Sequence, residues 1–189
     1  LGMSVPSGGI DWDIVADNAD ICDALVNIPG PTTQKRYTCN GQLFTTSTHR
    51  DNIEALLSSC NGRLTWAGGK FKIRAGAYES PSVTLTANDI IGDIQVRTAP
   101  QRQDRFNTVR GIIFDPDQQY QQIEFGEITD AAMVTRDGGS KLYRDLVLPF
   151  TNSAYMAQRV AFKQLAQSEN PIIAVVPTNL RGLKVAVGD

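Results

Sequence analysis

The sequence predicts an α+β fold with mainly antiparallel sheets and hairpins and three helices. Apolar residues recur at intervals of three and four in three segments and alternate with polar residues in most of the others. Few of the connections between strand-like segments are long enough for a βαβ crossover, which favours antiparallel pairing. The chain has 189 residues, of which 41% are hydrophobic and 20% are charged. This is the composition of a folded globular protein.

The first half predicts a helix–hairpin–helix–hairpin unit over residues 11–79, after a linker over residues 1–10. The first helix begins after Asp11, a favourable N-cap residue, and ends before Pro29-Gly30-Pro31. Its predicted apolar stripe consists of Trp12, Val15, Ala19, Cys22 and Val26. In residues 36–45 the pair Asn40-Gly41 predicts a tight hairpin turn, because both residues tolerate a positive φ.

A second helix and a second hairpin complete this unit. Thr46-Ser47-Thr48 offers the helix an N-cap, and Asn61-Gly62 offers a left-handed stop. The predicted inner face of the helix consists of Ile53, Leu56, Leu57 and Cys60. In the hairpin over residues 63–74, a turn at Gly68-Gly69 pairs Trp66 with Phe71 and Leu64 with Ile73. We expect Trp66 to be buried against the helix, so that Trp66→Ala costs about 3–5 kcal/mol.

The second predicted unit covers residues 80–189 and is rich in strands. Strands are predicted over 83–85, 94–96, 106–114, 119–128, 146–150, 172–176 and 183–187. One long helix, over about 152–168, is expected to pack inward through Ala157, Ala161 and Leu165. Its outward face is predicted to carry Arg159, Lys163 and Gln167.

Little in the sequence indicates chemistry, and we predict no catalytic, cofactor-binding or metal-binding residue and no enzymatic activity. The single histidine, His49, excludes a His-rich metal site, and no glycine pair is followed by the Lys-Ser/Thr of a phosphate loop. Cys22, Cys39 and Cys60 lack CxxC spacing and are expected to be reduced thiols. One alternative is a glycan hydrolase, for which Glu124 and Glu127 are the nearest pair of glutamates in the strand-rich half.

An arginine-rich segment is the one candidate for a binding surface. Arg97, Arg102, Arg105 and Arg110 are close in sequence and have a single acidic neighbour, Asp104. The segment is either a solvated surface or a contact with a protein or nucleic acid. We predict that Arg102 and Arg105 face a neighbouring subunit. A net charge of −2 argues against specific nucleic-acid binding, and no apolar run is long enough to span a membrane.

Several short motifs follow one another along the chain in a characteristic order. They are 21–23 (ICD), 25–26 (LV), 36–41 (RYTCNG), 51–57 (DNIEALL), 61–64 (NGRL), 68–77 (GGKFKIRAGA), 105–110 (RFNTVR), 114–116 (FDP), 136–138 (RDG) and 157–159 (AQR). Their order resembles the central, hub region of the lambda-type phage tail-tip attachment (host-specificity) protein family, and the resemblance covers nearly all of the chain.

The resemblance implies a structural role in a phage or prophage tail. Members of this family form a trimeric hub that closes the tail tube, with barrel-like domains such as those of contractile-tail baseplate hubs. It therefore implies other tail proteins as partners, a location in the virion tail, assembly in the host cytoplasm, and a part in host attachment and genome delivery. A hub domain of a contractile injection or secretion spike is a second interpretation.

Overall fold

The computed structural model describes residues 5–30, 32–78, 80–81, 83–97, 105–169 and 172–185. These ranges contain four α-helices and nine strands, which confirms the α+β prediction and adds one helix to the expected three. The helices are α1 (Trp12–Asp23), α2 (His49–Ser58), α3 (Ala131–Arg136) and α4 (Ala154–Glu169). The strands are β1 (Leu25–Asn27), β2 (Thr33–Lys35), β3 (Arg63–Ala67), β4 (Lys70–Arg74), β5 (Gln95–Arg97), β6 (Thr108–Asp115), β7 (Gln121–Thr129), β8 (Tyr143–Val147) and β9 (Ile173–Val175).

The largest sheet has three strands in the order β7-β6-β8. The predicted hairpin of β6 and β7 is confirmed, but β8 lies parallel to β6. The connection over residues 130–142 contains α3 and crosses the end of β6, which brings the chain to the free edge of that strand. The other described strands form two-stranded sheets, and none of these sheets closes on itself. The barrel that the resemblance implied is therefore absent from the described ranges.

The main core lies between α4 and the three-stranded sheet. The predicted inner face of α4 is confirmed, because Ala157, Ala161 and Leu165 are buried. The remaining buried apolar residues of this cluster are Tyr37, Phe106, Val109, Ile113, Phe125, Met133, Leu148, Met156 and Val160. Tyr37 joins the cluster from the first half of the chain, and the backbone N–H of Thr38 lies 3.1 Å from Met156 Sδ. The division at residues 79 and 80 stays a prediction.

The predicted apolar stripe of the first helix is only partly confirmed, since Cys22 packs against the main core and Val15 is half-buried. Trp12 is 56% exposed, and Val26 lies in β1 because α1 ends at Asp23. The buried residue of α1 is instead Asn18, whose Oδ1 accepts a hydrogen bond from Ala75 N–H at 2.7 Å. Its Nδ2 donates to Ile14 O at 2.8 Å. A buried amide is tolerated here because both of its polar atoms have partners.

The prediction of a hairpin at Asn40-Gly41 is also wrong. The chain pairs earlier, through β1 and β2, and residues 36–45 contain no strand. Asn40 N–H donates to Phe150 O at 2.9 Å. A Cβ on Gly41 would lie 2.5 Å from Cδ1 of the Phe150 ring. The glycine is therefore required for close packing against a distant residue and not for a turn.

The helix α2 and the hairpin of β3 and β4 form as predicted, but Trp66 is not buried. Thr48 caps α2 by accepting a hydrogen bond from Asp51 N–H at 3.1 Å. The predicted register is confirmed, with Trp66 opposite Phe71. Trp66 is nevertheless 60% exposed, and the open groove of about 1080 Å³ that the hairpin and α2 enclose is not lined by its indole. The indole keeps an edge-on contact with the Phe71 ring, at 4.6 Å between centroids.

The remaining strand predictions are partly wrong. Residues 83–86 do not form a strand, and Thr86 and Asp89 form a capping box for a short 3-10 turn. The strands predicted over 94–96 and 172–176 are confirmed as β5 and β9, which pair antiparallel with each other. Instead of a final strand from 183, residues Leu180–Lys184 form a 3-10 helix. Residues 186 and 187 lie outside the described residues.

Candidate functional site

Of the four arginines of the predicted contact segment, the structure describes Arg97, Arg105 and Arg110. Arg102 lies outside the described residues, so its predicted position at an interface has no structural counterpart here. Arg105 is exposed immediately before β6. Arg110 is engaged within the chain, because its Nε donates to Asp145 Oδ1 at 2.7 Å and its guanidinium lies 4.7 Å from the centre of the Tyr143 ring. The interface at Arg102 and Arg105 stays a prediction.

An exposed apolar surface surrounds the small sheet of β5 and β9. No residue of either strand is buried. Two strands alone are only marginally stable in water, and clustered apolar side chains commonly mark sites of protein interaction. The exposed apolar residues of this surface are Ile91, Ile94, Val96, Ile172, Ile173, Val175, Val176, Leu180 and Leu183.

A second surface feature is a cavity of about 500 Å³ between α4 and the segment that joins β1 to β2, which we call the cationic pocket. Arg159 and Lys163 enter it from successive turns of α4, and Arg36 enters from the end of β2. The other lining residues are Val26, Asn27, Ile28, Pro29, Tyr37, Ile128, Tyr155, Gln158 and Phe162. The lining therefore combines three cations with apolar walls and contains no carboxylate.

The three cations of the pocket are poorly compensated. The Nε atoms of Arg36 and Arg159 are buried and have no hydrogen-bond partner. Arg159 Nη2 donates to Arg36 O at 3.0 Å. With the Gln34 amide oriented to satisfy both its polar atoms, its oxygen accepts from Arg159 Nη2 and Nη1 at 2.6 and 2.9 Å. These acceptors are neutral. Within the described ranges no ion pair involves Arg36, Arg159 or Lys163.

The lack of a counter-ion affects the pKa values of Arg159 and Lys163, the two cations on α4. Burial lowers the pKa of Lys163, and the neighbouring Arg36 charge lowers it further. Burial likewise lowers the pKa of Arg159. Both effects have the same cause, because a charge removed from water without a counter-ion is disfavoured.

The prediction that Arg159 and Lys163 lie on the outward face of α4 is wrong, since both are half-buried, whereas Gln167 is exposed as predicted. One signal in the sequence could have indicated the pocket. Like charges at positions i and i+4 of a helix repel each other and destabilise it. Their presence on α4, whose one carboxylate is Glu169 at the C-terminal end, marks a local excess of positive charge.

The glutamates of the hydrolase alternative lie on the surface of β7. Glu124 and Glu127 are both exposed, and Glu127 forms an ion pair with Lys141. Neither glutamate lines the groove beside α2 or the cationic pocket. The structure therefore does not bring the pair into either of these two concave sites.

The three cysteines are free thiols, and two of them interact. Cys22, at the end of α1, and Cys60, just after α2, are half-buried and pack against the main core. A hydrogen bond from the Cys60 thiol lowers the pKa of Cys22 to about 7. The same hydrogen bond, with burial, raises the pKa of Cys60. Cys39 is exposed.

Among the residues that the structure describes, no group of three or more His, Cys, Asp and Glu side chains could hold a metal ion. None of the helices within the same ranges is both long and apolar enough to cross a membrane.

Comparison with known proteins gives one family. The model of the family described as "Putative phage tail protein" matches residues 48–172, about two thirds of the chain. The matched region begins at the N-cap of α2 and includes the main sheet, α3 and α4. No curated protein matches the chain significantly.

Proposed function

This chain belongs to that family of phage tail proteins, and from this premise we propose that it is a structural component of the tail tip. In this role it forms part of the hub that closes the tail tube, within the machinery of host attachment and genome delivery. The protein assembles in the host cytoplasm and has no catalytic step of its own. The family match is the observation that carries the proposal.

The exposed surface supports a role in assembly. The small sheet of β5 and β9 and the 3-10 helix after it present apolar side chains to solvent, with Leu180 and Leu183 each more than 80% exposed. A protein that acts alone in solution gains nothing from such a surface, whereas a subunit of a large particle covers it on assembly.

The hub is proposed to be a homotrimer, with Arg102 and Arg105 directed toward a neighbouring subunit. The exposed position of Arg105 supports this contact, because a guanidinium is well solvated in the free subunit and can bond a carboxylate or carbonyl after assembly. Tail proteins are the expected partners, and the contact needs no small molecule.

Labelling of the assembled tail tests the location and the copy number. A short epitope inserted between Gly138 and Gly139, in an exposed turn, can be detected by a gold-labelled antibody in electron micrographs. We expect label only at the end of the tail distal to the head, and threefold density there in averaged images. Label along the tube, or particles without label, would overturn the tip assignment.

Charge reversal tests the arginine contact. Arg102→Glu with Arg105→Glu should give folded protein but incomplete tails. Lys70→Glu, at the exposed turn of β3 and β4, is the matched control and should give normal tails. Normal particle yield from the double variant would refute the contact.

The hydrolase alternative has its own assay. The purified chain is incubated with peptidoglycan, and we expect no release of soluble fragments. Hydrolysis that disappears in Glu124→Gln would overturn the structural assignment.

A further inference from the structure

We propose that the cationic pocket binds an acidic peptide segment of a neighbouring protein, with a carboxylate beside Arg36, Arg159 and Lys163 and an apolar side chain against the pocket wall. That the neighbour is a tail protein rests on the proposed function. The chemistry of the pocket does not depend on it.

The uncompensated charge of the pocket is the first argument. Three cationic side chains line a single cavity without an acidic residue among its lining. The buried Nε–H groups of Arg36 and Arg159 have no acceptor. A buried donor without an acceptor costs free energy, and so does a half-buried cation without a counter-ion. A carboxylate in the pocket would supply the counter-ion that the three cations lack.

The shape and lining of the pocket favour a peptide over a free inorganic anion. A volume of about 500 Å³ exceeds the needs of a single small ion. Apolar side chains, among them Ile28, Ile128 and Phe162, form much of the wall. Phe162 is 63% exposed beside Lys163, so an apolar group of a ligand can cover it. Phosphate would use the cations and leave these walls in water.

The guanidinium groups add geometric selectivity. A planar guanidinium donates two parallel hydrogen bonds to a carboxylate, which fixes the orientation of the bound group. Arg159 is held by Arg36 O at 3.0 Å and by the Gln34 amide oxygen, so the position of this cation is fixed before binding. The expected recognition element is therefore an Asp or Glu next to a large apolar residue.

Peptide titration of the full chain tests the proposal. The probe is acetyl-Leu-Glu-Leu-Glu-Leu-amide, with the same peptide carrying Gln in place of Glu and with inorganic phosphate as comparisons. Binding is followed by nuclear magnetic resonance of the Arg and Lys side chains and by calorimetry. We expect saturable binding of the Glu peptide that shifts the Arg159 Nε–H signal, and binding at least about tenfold weaker for the Gln peptide.

Variants connect the binding to the pocket. Lys163→Gln should weaken the Glu peptide about tenfold, whereas Lys70→Gln, an exposed lysine outside the pocket lining, should leave the affinity unchanged. Lys163→Met should also raise the melting temperature of the chain without peptide, because it removes a half-buried cation that has no counter-ion. A melting temperature that stays equal or falls would contradict the argument from charge.

Three outcomes of the peptide titration would overturn the proposal. Equal binding of the Glu and Gln peptides would show an apolar site without charge recognition. Phosphate binding as tight as that of the Glu peptide would show a general anion site. No saturation up to about 5 mM of Glu peptide would mean no useful affinity. None of these results bears on the epitope label at the tail tip, which fails or succeeds separately.

Discussion

Gly111 is the position in β6 where adding a single methyl group should lower the stability of the fold most. It lies opposite Leu146 in the parallel pairing with β8 and opposite Phe125 in the antiparallel pairing with β7. A Cβ at this position would lie 1.8 Å from Leu146 O, 2.7 Å from Leu146 C and 2.9 Å from Phe125 Cε1. The first two of these atoms are backbone, so Gly111→Ala forces β8 away from β6.

The expected magnitude follows from what must move. Adding a methyl group to a packed interior typically costs about 1–3 kcal/mol, and more when the backbone shifts. Because β8 joins the sheet through β6 and its Leu146 also packs against the main core, we expect Gly111→Ala to cost about 3 kcal/mol. For a chain of this length the melting temperature falls by about 2–4 °C per kcal/mol, so a decrease of about 6–12 °C is expected.

Thermal and urea denaturation of the purified chain measure the effect, with Gly126→Ala on β7 as the matched control. A Cβ on Gly126 would meet only Gln158 Nε2, at 3.3 Å, and this amide ends a flexible side chain that can move. Neither glycine has a positive φ. The control should therefore change stability by less than about 1 kcal/mol, in either direction. Equal melting temperatures for the two variants would refute the reasoning about the close approach of β8.

Three further changes test local features of the fold. Trp66→Ala should lower the free energy of unfolding in urea by only about 0.5–1.5 kcal/mol, because the change removes mainly the edge-on contact of an exposed indole with Phe71. A decrease above about 3 kcal/mol would show that the indole is buried. Cys60→Ala should move the pH midpoint of Cys22 alkylation by iodoacetamide upward from about 7 toward 9.0, because the thiol hydrogen bond that stabilises the Cys22 thiolate is lost. An unchanged midpoint would exclude that bond, and Cys39→Ala is the control. Asp130→Ala should destabilise the chain by about 1 kcal/mol, because its carboxylate caps α3 at 2.9 Å from a backbone N–H. A wild-type melting temperature would contradict this cap.

Interactions between residues close in sequence were predictable from the sequence. The register of β3 and β4 follows from Gly68-Gly69, because both glycines adopt the positive φ that a two-residue turn requires. The cap of α2 at Thr48 and the inner face of α4 follow in the same way from local hydrogen bonding and helical periodicity. The hairpin of β6 and β7 belongs to this class, since one short connection joins its strands.

Features that depend on distant partners were decided by the tertiary structure. The parallel position of β8 depends on which edge of β6 remains free, and the burial of Asn18 depends on a donor for its Oδ1 atom, the backbone N–H of Ala75. A residue's own neighbours in the chain carry no information about either condition, because burial is set by the elements that pack on it.

The cationic pocket could not be predicted from the sequence for the same reason. Arg36 and Arg159 are 123 positions apart in the chain, and their meeting depends on the packing of α4 beside the end of β2. The sequence by itself determined which residues carry charge and that Arg159 and Lys163 share one face of a helix. Only the tertiary structure turned that face inward and brought a third cation to it. A charge on a helix face is solvated or buried according to what packs against it, and no local pattern records that choice.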